Sequence, residues 1–474
     1  MIGASKLEKF LYASVFFVCG FGVTAVLPSE VSAKGKSTVT ATKNQTAVNK
    51  TEKRQVQIKV PVRKPVRKSG SVAGVPQEWL TFLDNLQREM KAKGISQKTL
   101  DRAYKGKNYY HKAPDVVKQD KRQAEFVMTT ARYVNMLVTK ERVKTGRRKL
   151  YEVRKKYQKL ADKYNVPLNY IVSFWGVETN FGGNKGKHNL IDSLTNLSYR
   201  NRRAQFFKSE LYNVLKIMDK NNLSGEKMLG SWAGAMGHFQ FMPSTYNGYA
   251  VDYDGDGVPD IWDSLPDALA SAENYLTKLG WKKDEPWGMR IQLPNDFDFQ
   301  LAGRKKNKTV KEWKKLGIKT YEGDKLPFDD DLKGSVIMPD GHKGPVYIVF
   351  SNFNRVMIWN RSDNYAIAVV TLADYLADED KKWKPLEAGK QYVMNSDEIL
   401  KIQKFSNRMN GKKIKEDGRL GSETRGVVAS LQHRFHLPED GYPDDKLLKK
   451  IDDYDAAKKK IIPAPASAPA KKRK

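Results

Sequence analysis

The sequence predicts an α+β protein that is mostly α, with a large domain followed by a small one. Apolar residues recur at helical three- and four-residue spacing over 76–163 and again over 167–279. Residues 289–349 differ, because short strand-like pieces alternate there with Gly, Pro and Asp. A Lys- and Pro-rich break at 381–390 then separates a compact helical unit at 391–452. The pattern therefore indicates one helical domain with a small β-rich insertion, and a helical module after it.

The composition excludes several classes of protein. Of 474 residues, 40% are hydrophobic and 29% charged, which is typical of a globular chain and not of a disordered or polytopic membrane protein. One Cys excludes a disulfide framework and a Cys-ligated zinc site, and six scattered His argue against a His-based metal centre. The formal net charge of +31 indicates an acidic or polyanionic partner.

The first 33 residues are typical of an export signal. Lys6 and Lys9 precede an apolar run over 10–26, and small residues at 31–33 form a cleavage site. Cleavage would leave a chain without cysteine in the periplasm of a bacterial envelope. If the segment is not cleaved, it is almost long enough to anchor the chain in a membrane. We expect a monomer, although the residues do not determine the oligomeric state.

Much of the positive charge lies outside the predicted domains. A Pro-spaced linker at 34–76 carries eleven Lys and Arg against Glu52 alone, and the tail at 453–474 ends in a further basic stretch. Charge of this kind tethers a chain to an anionic surface. It does not demonstrate a nucleic-acid groove, no motif for one is present, and we expect no nucleic-acid partner.

One carboxylate is predicted to be chemically active. A helix after Asn165 and Pro167 should end at Gly182, with Asn165 as its N-cap. Positions three, four and seven residues before Glu178 are apolar or aromatic, so this carboxyl shares a face with them near the helix C-terminus. Both burial and the negative end of the helix dipole favour its neutral form, which a general acid requires at neutral pH. The alternative is a helix-end Glu that points to solvent.

A second segment, over 230–246, combines Gly and Ala with isolated polar residues among aromatic ones. Small residues allow a bulky ligand to approach the backbone, and Gln240 between two Phe could orient a sugar. Tight helix packing is the alternative.

These segments, together with residues 359–369, resemble the membrane-bound lytic murein transglycosylase B family over about 77–388. The resemblance implies a lysozyme-like domain that cleaves the MurNAc–GlcNAc bond of peptidoglycan without water, with Glu178 as the single acid/base and no catalytic cofactor. It also implies that eight residues contact the sugars, and one of them, Trp359, stands where the family commonly has Tyr. The eight are Arg202, Arg203, Ser231, Gln240, Phe241, Trp359, Asn360 and Tyr365. We find no convincing second carboxylate, although ordinary glycosidases use two.

An acidic loop within this domain predicts a structural calcium ion. Carboxylates recur around a tight turn, which suits the six to eight oxygen ligands of calcium, and the family resemblance implies calcium there too. The candidate ligands, including the Val258 carbonyl, are Asp252, Asp254, Asp256, Val258, Asp260 and Asp263, with Asp267 as a substitute in a longer loop. A bare Asp- and Gly-rich turn is the alternative.

The unit at 391–452 resembles a small three-helix peptidoglycan-binding domain. The resemblance rests on Asp417–Gly418, Leu431 and Asp440–Gly441, with Leu431 in place of a usual Phe. It implies glycan strands of peptidoglycan as the partner. Two other functions remain open on the same fold: a hydrolytic muramidase, and a wall-binding protein without catalysis.

Overall fold

The computed structural model describes residues 75–104, 128–201, 203–409 and 413–461. The predicted signal peptide (1–33), the linker up to residue 74, and residues 462–474 of the predicted tail lie outside these residues. The chain divides into Gly20–Leu86 and the remainder. The described residues of the first unit form the early turns of helix α1 (Gln77–Ala92), where the rings of Trp79 and Phe82 lie 5.4 Å apart.

The predicted class is confirmed, because helices dominate the described residues and strands are short. No helix among the described ranges combines the length and the apolar character that a membrane crossing requires. The helices before the main sheet are α2 (Gln97–Tyr104), α3 (Thr130–Leu137), α4 (Lys140–Tyr164), α5 (Leu168–Thr179), α6 (Leu190–Leu197), α7 (Ala204–Lys220), α8 (Pro243–Tyr249) and α9 (Leu265–Lys278).

Helix α5 is the buried centre of this bundle. It packs against α4, against α9 and, most extensively, against α12 (Asp363–Ala377). Two of its polar side chains bond to the backbone of α12: Asn169 Nδ2 donates to the Ala373 carbonyl at 3.2 Å, and Ser173 Oγ to the Val369 carbonyl at 2.6 Å. Satisfying these buried groups fixes the position of α5 against α12.

The predicted β-rich insertion forms a five-stranded antiparallel sheet in the order β4-β6-β7-β3-β5. Strand β7 pairs with both β3 and β6, with Met289 opposite Ile348 and Val336 opposite Ile348. Trp313 on α10 (Val310–Lys315) covers the sheet core and donates to the Gly334 carbonyl at 2.9 Å. The strands are β3 (Gly288–Gln292), β4 (Lys308–Thr309), β5 (Lys319–Thr320), β6 (Lys333–Ile337) and β7 (Val346–Val349), while β1 (His188–Asn189) and β2 (Leu229–Gly230) pair separately.

Helix α11 (Ser351–Trp359) leads from the sheet back to α12. The C-terminal unit then contains α13 (Ser396–Met409), α14 (Ser422–Arg434) and α15 (Asp445–Ile461) around a core that includes Phe405 and Leu431. Two buried glutamines brace its Asp–Gly turns: Gln403 Oε1 accepts from the backbone of Asp417 and Gly418, and Gln432 Oε1 accepts from that of Gly441.

Candidate active site

The end of α5 positions Glu178. The helix begins after Pro167 and ends at Thr179, and Asn180 then adopts a left-handed φ of 51°. The predicted N-cap was wrong, because Asn165, at φ 58°, terminates α4 and bonds to the Ala161 carbonyl instead. The predicted end at Gly182 was also wrong, since the chain turns earlier. Glu178 consequently lies in the last turn of α5.

The early turn after α5 is stabilised by the Phe181 side chain. A Cβ added at Gly176 would lie 2.7 Å from this ring, and one added at Gly146 of α4 would lie 3.2 Å from it. The two glycines therefore leave the space that Phe181 fills. Thr179 Oγ1 donates to the His238 carbonyl at 2.8 Å, which attaches this end of α5 to the Gly-rich segment.

The carboxyl of Glu178 receives two hydrogen bonds on one oxygen. Tyr365 Oη donates to Oε1 at 2.5 Å and Trp359 Nε1 donates to the same atom at 3.0 Å. Tyr365 lies in the first turn of α12 and Trp359 ends α11, so three elements meet at this oxygen. The Glu178 side chain remains partly exposed, which leaves Oε2 accessible to a ligand.

Burial raises the pKa of Glu178 to about 7, although the bonds from Tyr365 and Trp359 act in the opposite direction. The sequence also predicts an upward shift of this pKa, because it places Glu178 among apolar side chains at the end of a helix. No acidic side chain among the described residues lies close enough to shift this pKa. A carboxyl with a pKa near neutrality can both give and take a proton at physiological pH.

Aromatic rings surround the donor Trp359. Its ring stacks on Phe174 at 4.3 Å between centroids, and the rings of Phe241 and Tyr275 lie 5.4 Å and 5.2 Å away. Rings at these distances pack edge to face or offset, which restricts the indole to one orientation. Trp359 therefore holds Glu178, where the family resemblance implied a sugar contact.

The Gly-rich segment folds into a tight turn next to this cluster. Met236 bridges to Phe241, and the Ser231 hydroxyl accepts from the Ala235 N–H at 2.9 Å. Gln240, at φ 49°, donates through Nε2 to the Lys185 carbonyl at 3.2 Å and to the Gly237 carbonyl at 3.0 Å.

Two side-chain oxygens among the predicted site residues are buried without a partner. Gln240 Oε1 and Asn360 Oδ1 accept no hydrogen bond from any described residue, and these two residues are 9% and 5% exposed. A buried acceptor without a donor destabilises the folded protein by about 1–3 kcal/mol. A ligand whose hydroxyl or amide N–H groups donate to these two oxygens would remove that cost.

Of the two predicted arginines, Arg202 lies outside the described residues. Arg203 lies just before α7, and its guanidinium carbon is 4.5 Å and 4.9 Å from the ring centroids of Phe206 and Phe207.

Sequence reasoning missed two residues of the site. Tyr275 on α9 reaches the Trp359 cluster, and no local spacing connects it with the other segments. His238 Nδ1 accepts from Trp175 Nε1 at 2.9 Å. Burial and the nearby Lys185 lower the pKa of His238 to about 4, which keeps the ring neutral and able to accept.

The acidic loop brings three of its predicted ligands together. Oxygen atoms of Asp252, Asp254 and Asp256 lie within 4.8 Å of one another. Three hard carboxylate oxygens in a tight turn fit a calcium ion. The Asp252 oxygens also accept from the backbone of Gly255 and Gly257, which shapes the turn around them.

The other predicted ligands lie outside this cluster. Asp267, fully buried, accepts three backbone N–H groups, from Tyr253, Asp254 and Asp260, and so braces the loop. Asp260 accepts from Trp262 and Asp263, whereas the Asp263 side chain is 80% exposed and pairs with Lys185. Val258 donates its N–H to Asp256 Oδ1 at 2.8 Å.

Comparison with known proteins gives two family matches. Residues 78–374 match the transglycosylase SLT domain, and residues 395–451 match a putative peptidoglycan binding domain. The chain is 34% identical to the membrane-bound lytic murein transglycosylase B of Escherichia coli over 221 residues, which are 45% of this chain and 58% of that protein. The match thus covers little more than half of that relative.

Solved structures agree with these matches. SltB3 from Pseudomonas aeruginosa, crystallised with NAG-anhNAM-pentapeptide, has a TM-score of 0.72 and 34% identity, over 80% of this chain and all of that one. The Escherichia coli lytic transglycosylase Slt35 in complex with calcium has a TM-score of 0.53 and 28% identity, over 64% of this chain and 93% of that one. The predicted lysozyme-like fold is confirmed, and the chain belongs to the transglycosylase SLT domain family.

Proposed function

We propose that this protein is a lytic transglycosylase that cleaves the MurNAc–GlcNAc bond of peptidoglycan and leaves a 1,6-anhydro end. The proposal is supported by the family match and by the anhydro-sugar peptide bound to the similar SltB3. The single observation that carries it is the state of Glu178, whose carboxyl has a pKa of about 7 and no acidic neighbour that shifts it.

A single carboxyl favours transglycosylation over hydrolysis. Hydrolytic glycosidases place two carboxyls about 5–9.5 Å apart, and a second charge at that distance would shift the pKa of the first. No acidic residue is among the groups that shift the pKa of Glu178, which burial and the bonds from Tyr365 and Trp359 determine. A reaction in which one group acts first as acid and then as base fits this site.

Because both donors bind Oε1, Oε2 carries the proton in the neutral form of Glu178. Oε2–H protonates the glycosidic oxygen as its bond to C1 of MurNAc breaks. The resulting carboxylate accepts the proton of the MurNAc C6 hydroxyl as that oxygen bonds to C1. Glu178 regains its proton, and no water is consumed. The N-acetyl group of the substrate helps to stabilise the intermediate.

The remaining predicted residues bind the sugars. Gln240 Oε1 and Asn360 Oδ1 accept from sugar hydroxyl or N-acetyl N–H groups, and Phe241 covers an apolar sugar face. Ser231, Arg202 and Arg203 complete the set that the family resemblance implies. Trp359 and Tyr365 orient Glu178 in addition to lining the site.

We further propose that Asp252, Asp254 and Asp256 bind a structural calcium ion, as suggested by the calcium complex of Slt35. None of these aspartates is among the groups that shift the pKa of Glu178, which favours a stabilising role for the ion over a catalytic one. We also propose periplasmic localisation after export. The proposed domains are 77–388 (catalytic) and 391–452 (peptidoglycan-binding), with 1–33 as signal peptide, 34–76 as linker and 453–474 as tail.

The test is a digestion of purified peptidoglycan in water labelled with a heavy oxygen isotope, by the chain without its first 33 residues. A transglycosylase incorporates no label into the new sugar ends, since the C6 oxygen attacks C1. Incorporation of one labelled oxygen per cleavage would identify a muramidase and refute the proposal.

A further inference from the structure

Helix α4 carries an unusual row of cations. The helix contains eleven Lys and Arg against three acidic residues. Four cations and one Tyr recur at spacings of four, four, three and four, which places them on one face of a helix. We name this set the basic ridge: Lys140, Lys144, Arg148, Tyr151 and Lys155.

Every residue of the basic ridge is exposed, and its four cations form no ion pair with any described residue. Neighbouring cations on the same helix are used by the protein itself. Lys149 pairs with Glu152 at 2.7 Å, and Arg147 donates to the backbone carbonyls of Tyr375, Asp378 and Lys381. The ridge is thus a row of exposed cations that form no ion pair with a described residue, as is also true of Arg154, Lys156 and Lys159 elsewhere on α4.

This arrangement costs stability in the free protein. Lys140, Lys144 and Arg148 are like charges at successive i, i+4 positions, and such pairs destabilise a helix by about 0.2–0.5 kcal/mol each. Nothing in the packing of α4 requires them. The buried face, which includes Gly146, Leu150 and Val153, lies on the other side of the helix. An anion bound along the row would offset the repulsion between these cations by attracting all of them.

We propose that the basic ridge docks on an anionic lipid surface. The ridge is straight, since the kink of α4 comes later, at Tyr157. It extends about 22 Å at the rise of an α-helix, which suits a plane of phosphates. Tyr151 lies in the middle of the row and is 68% exposed. An aromatic ring with a polar tip, flanked by cations, is the composition that partitions into the headgroup layer.

Docking would orient the catalytic core. The face opposite the ridge contacts the elements that hold Glu178, because Gly146 abuts Leu376 of α12 and Phe181 after α5. Lys149, which lies toward the face opposite the ridge, is 5.9 Å from the ring centroid of Trp175 on α5. A membrane bound at the ridge therefore fixes the direction in which α5 and its C-terminal end face the wall.

The test measures the fraction of protein that sediments with lipid vesicles, for the chain without its first 33 residues. The vesicles contain phosphatidylcholine, either alone or with phosphatidylglycerol. The ridge variant combines Lys144→Gln, Arg148→Gln and Lys155→Gln. Its matched control combines Lys283→Gln, Lys305→Gln and Lys315→Gln, which remove the same charge from exposed lysines that form no ion pair with a described residue.

We expect the ridge variant to bind anionic vesicles about a hundred-fold more weakly than wild type, from about 1 kcal/mol per cation near the surface. The control should lose much less, and Tyr151→Ser alone should weaken binding measurably. Cleavage of lipid-free peptidoglycan should be the same in all four proteins. Equal losses in the ridge variant and the control would overturn the proposal. So would a ridge variant that loses affinity for lipid-free peptidoglycan but not for vesicles, because the anion would then belong to the wall.

Discussion

The protonation state of Glu178, the proposed acid/base, depends on its immediate neighbours. Glu178 is raised to a pKa of about 7 by burial, and the two donors on Oε1 prevent a greater rise. The sequence predicts the raised pKa because the apolar face of α5 is visible in its spacing. It does not predict Trp359 as a donor, since that contact joins residues 181 positions apart.

Trp359→Phe should keep the ring cluster and remove the N–H that stabilises the carboxylate. A hydrogen bond to a charged group contributes about 1.5–3 kcal/mol, so the pKa of Glu178 should rise by about one unit or more. The pH–rate profile of peptidoglycan cleavage should shift to higher pH by that amount. Trp359→Tyr, which restores a donor, should shift it back. An unshifted profile in the Phe variant would show that the indole does not act on Glu178.

A second buried acid gives a stability prediction. Glu273 on α9 is fully buried, both its oxygens lack a hydrogen-bond partner among the described residues, and burial raises its pKa to about 8. The unfolded chain ionises near 4.5. Folding therefore becomes less favourable as the pH rises from about 4.5 to about 8.

Glu273→Gln should remove this penalty, which is on the order of a few kcal/mol. The variant should melt higher than wild type at pH 8, and its advantage should shrink toward pH 5. The thermal midpoint at several pH values measures this. An advantage that is independent of pH would mean that Glu273 is ionised in the folded state.

At the scale of elements, the ends of helices were harder to predict than their cores. The sequence assigned Asn165 to α5 because Asn is a good N-cap, but Asn also tolerates the left-handed conformation that ends α4. The turn after Thr179 depends on the fit of Phe181 against Gly176 and Gly146, which is a tertiary effect. The strand order β4-β6-β7-β3-β5 was likewise beyond local patterns. Only β6 and β7 are consecutive strands, whereas the other three pairings join segments that are not neighbours in the sequence.

The acidic loop is an element whose stability should depend on metal. Calcium should raise the thermal midpoint of the wild type by several degrees, and a chelator should reverse it, because a ligand that binds only the folded state stabilises it. Asp252→Asn with Asp256→Asn should abolish the response. Asp263→Asn, at an exposed position outside the cluster, is the control. A calcium response that survives the double change would place the ion elsewhere.

At the scale of the whole chain, the C-terminal module is bonded to the domain that contains Glu178. Asp440 of the module accepts from the backbone N–H of His342 at 2.9 Å and lies 2.6 Å from its Nδ1. Arg425 of the module also donates to the Pro339 carbonyl. Although burial alone would raise the pKa of Asp440, its hydrogen bonds from His342, Tyr442 and Gln432 hold it below the usual range.

His342→Ala should remove the side-chain bond to Asp440 and so weaken this junction, while the core of the module stays unchanged. The segment that joins the domains should then be cut faster by a protease. The difference from wild type should shrink at a pH low enough to protonate Asp440, because wild type then loses the stabilising bond as well. His433→Ala is the matched control, since His433 is exposed and pairs within the module, with Glu439. Equal cutting of both variants would show that His342 does not hold the domains together.

The central claim is that Glu178 alone performs transglycosylation, and mass analysis of the cleavage products tests it most directly. Purified peptidoglycan is digested by wild type, by Glu178→Gln and by the exposed control Glu226→Gln. We predict products one water lighter than those of hydrolysis from wild type and control, and none from Glu178→Gln. Products of full hydrolytic mass, or undiminished cleavage by Glu178→Gln, would contradict it.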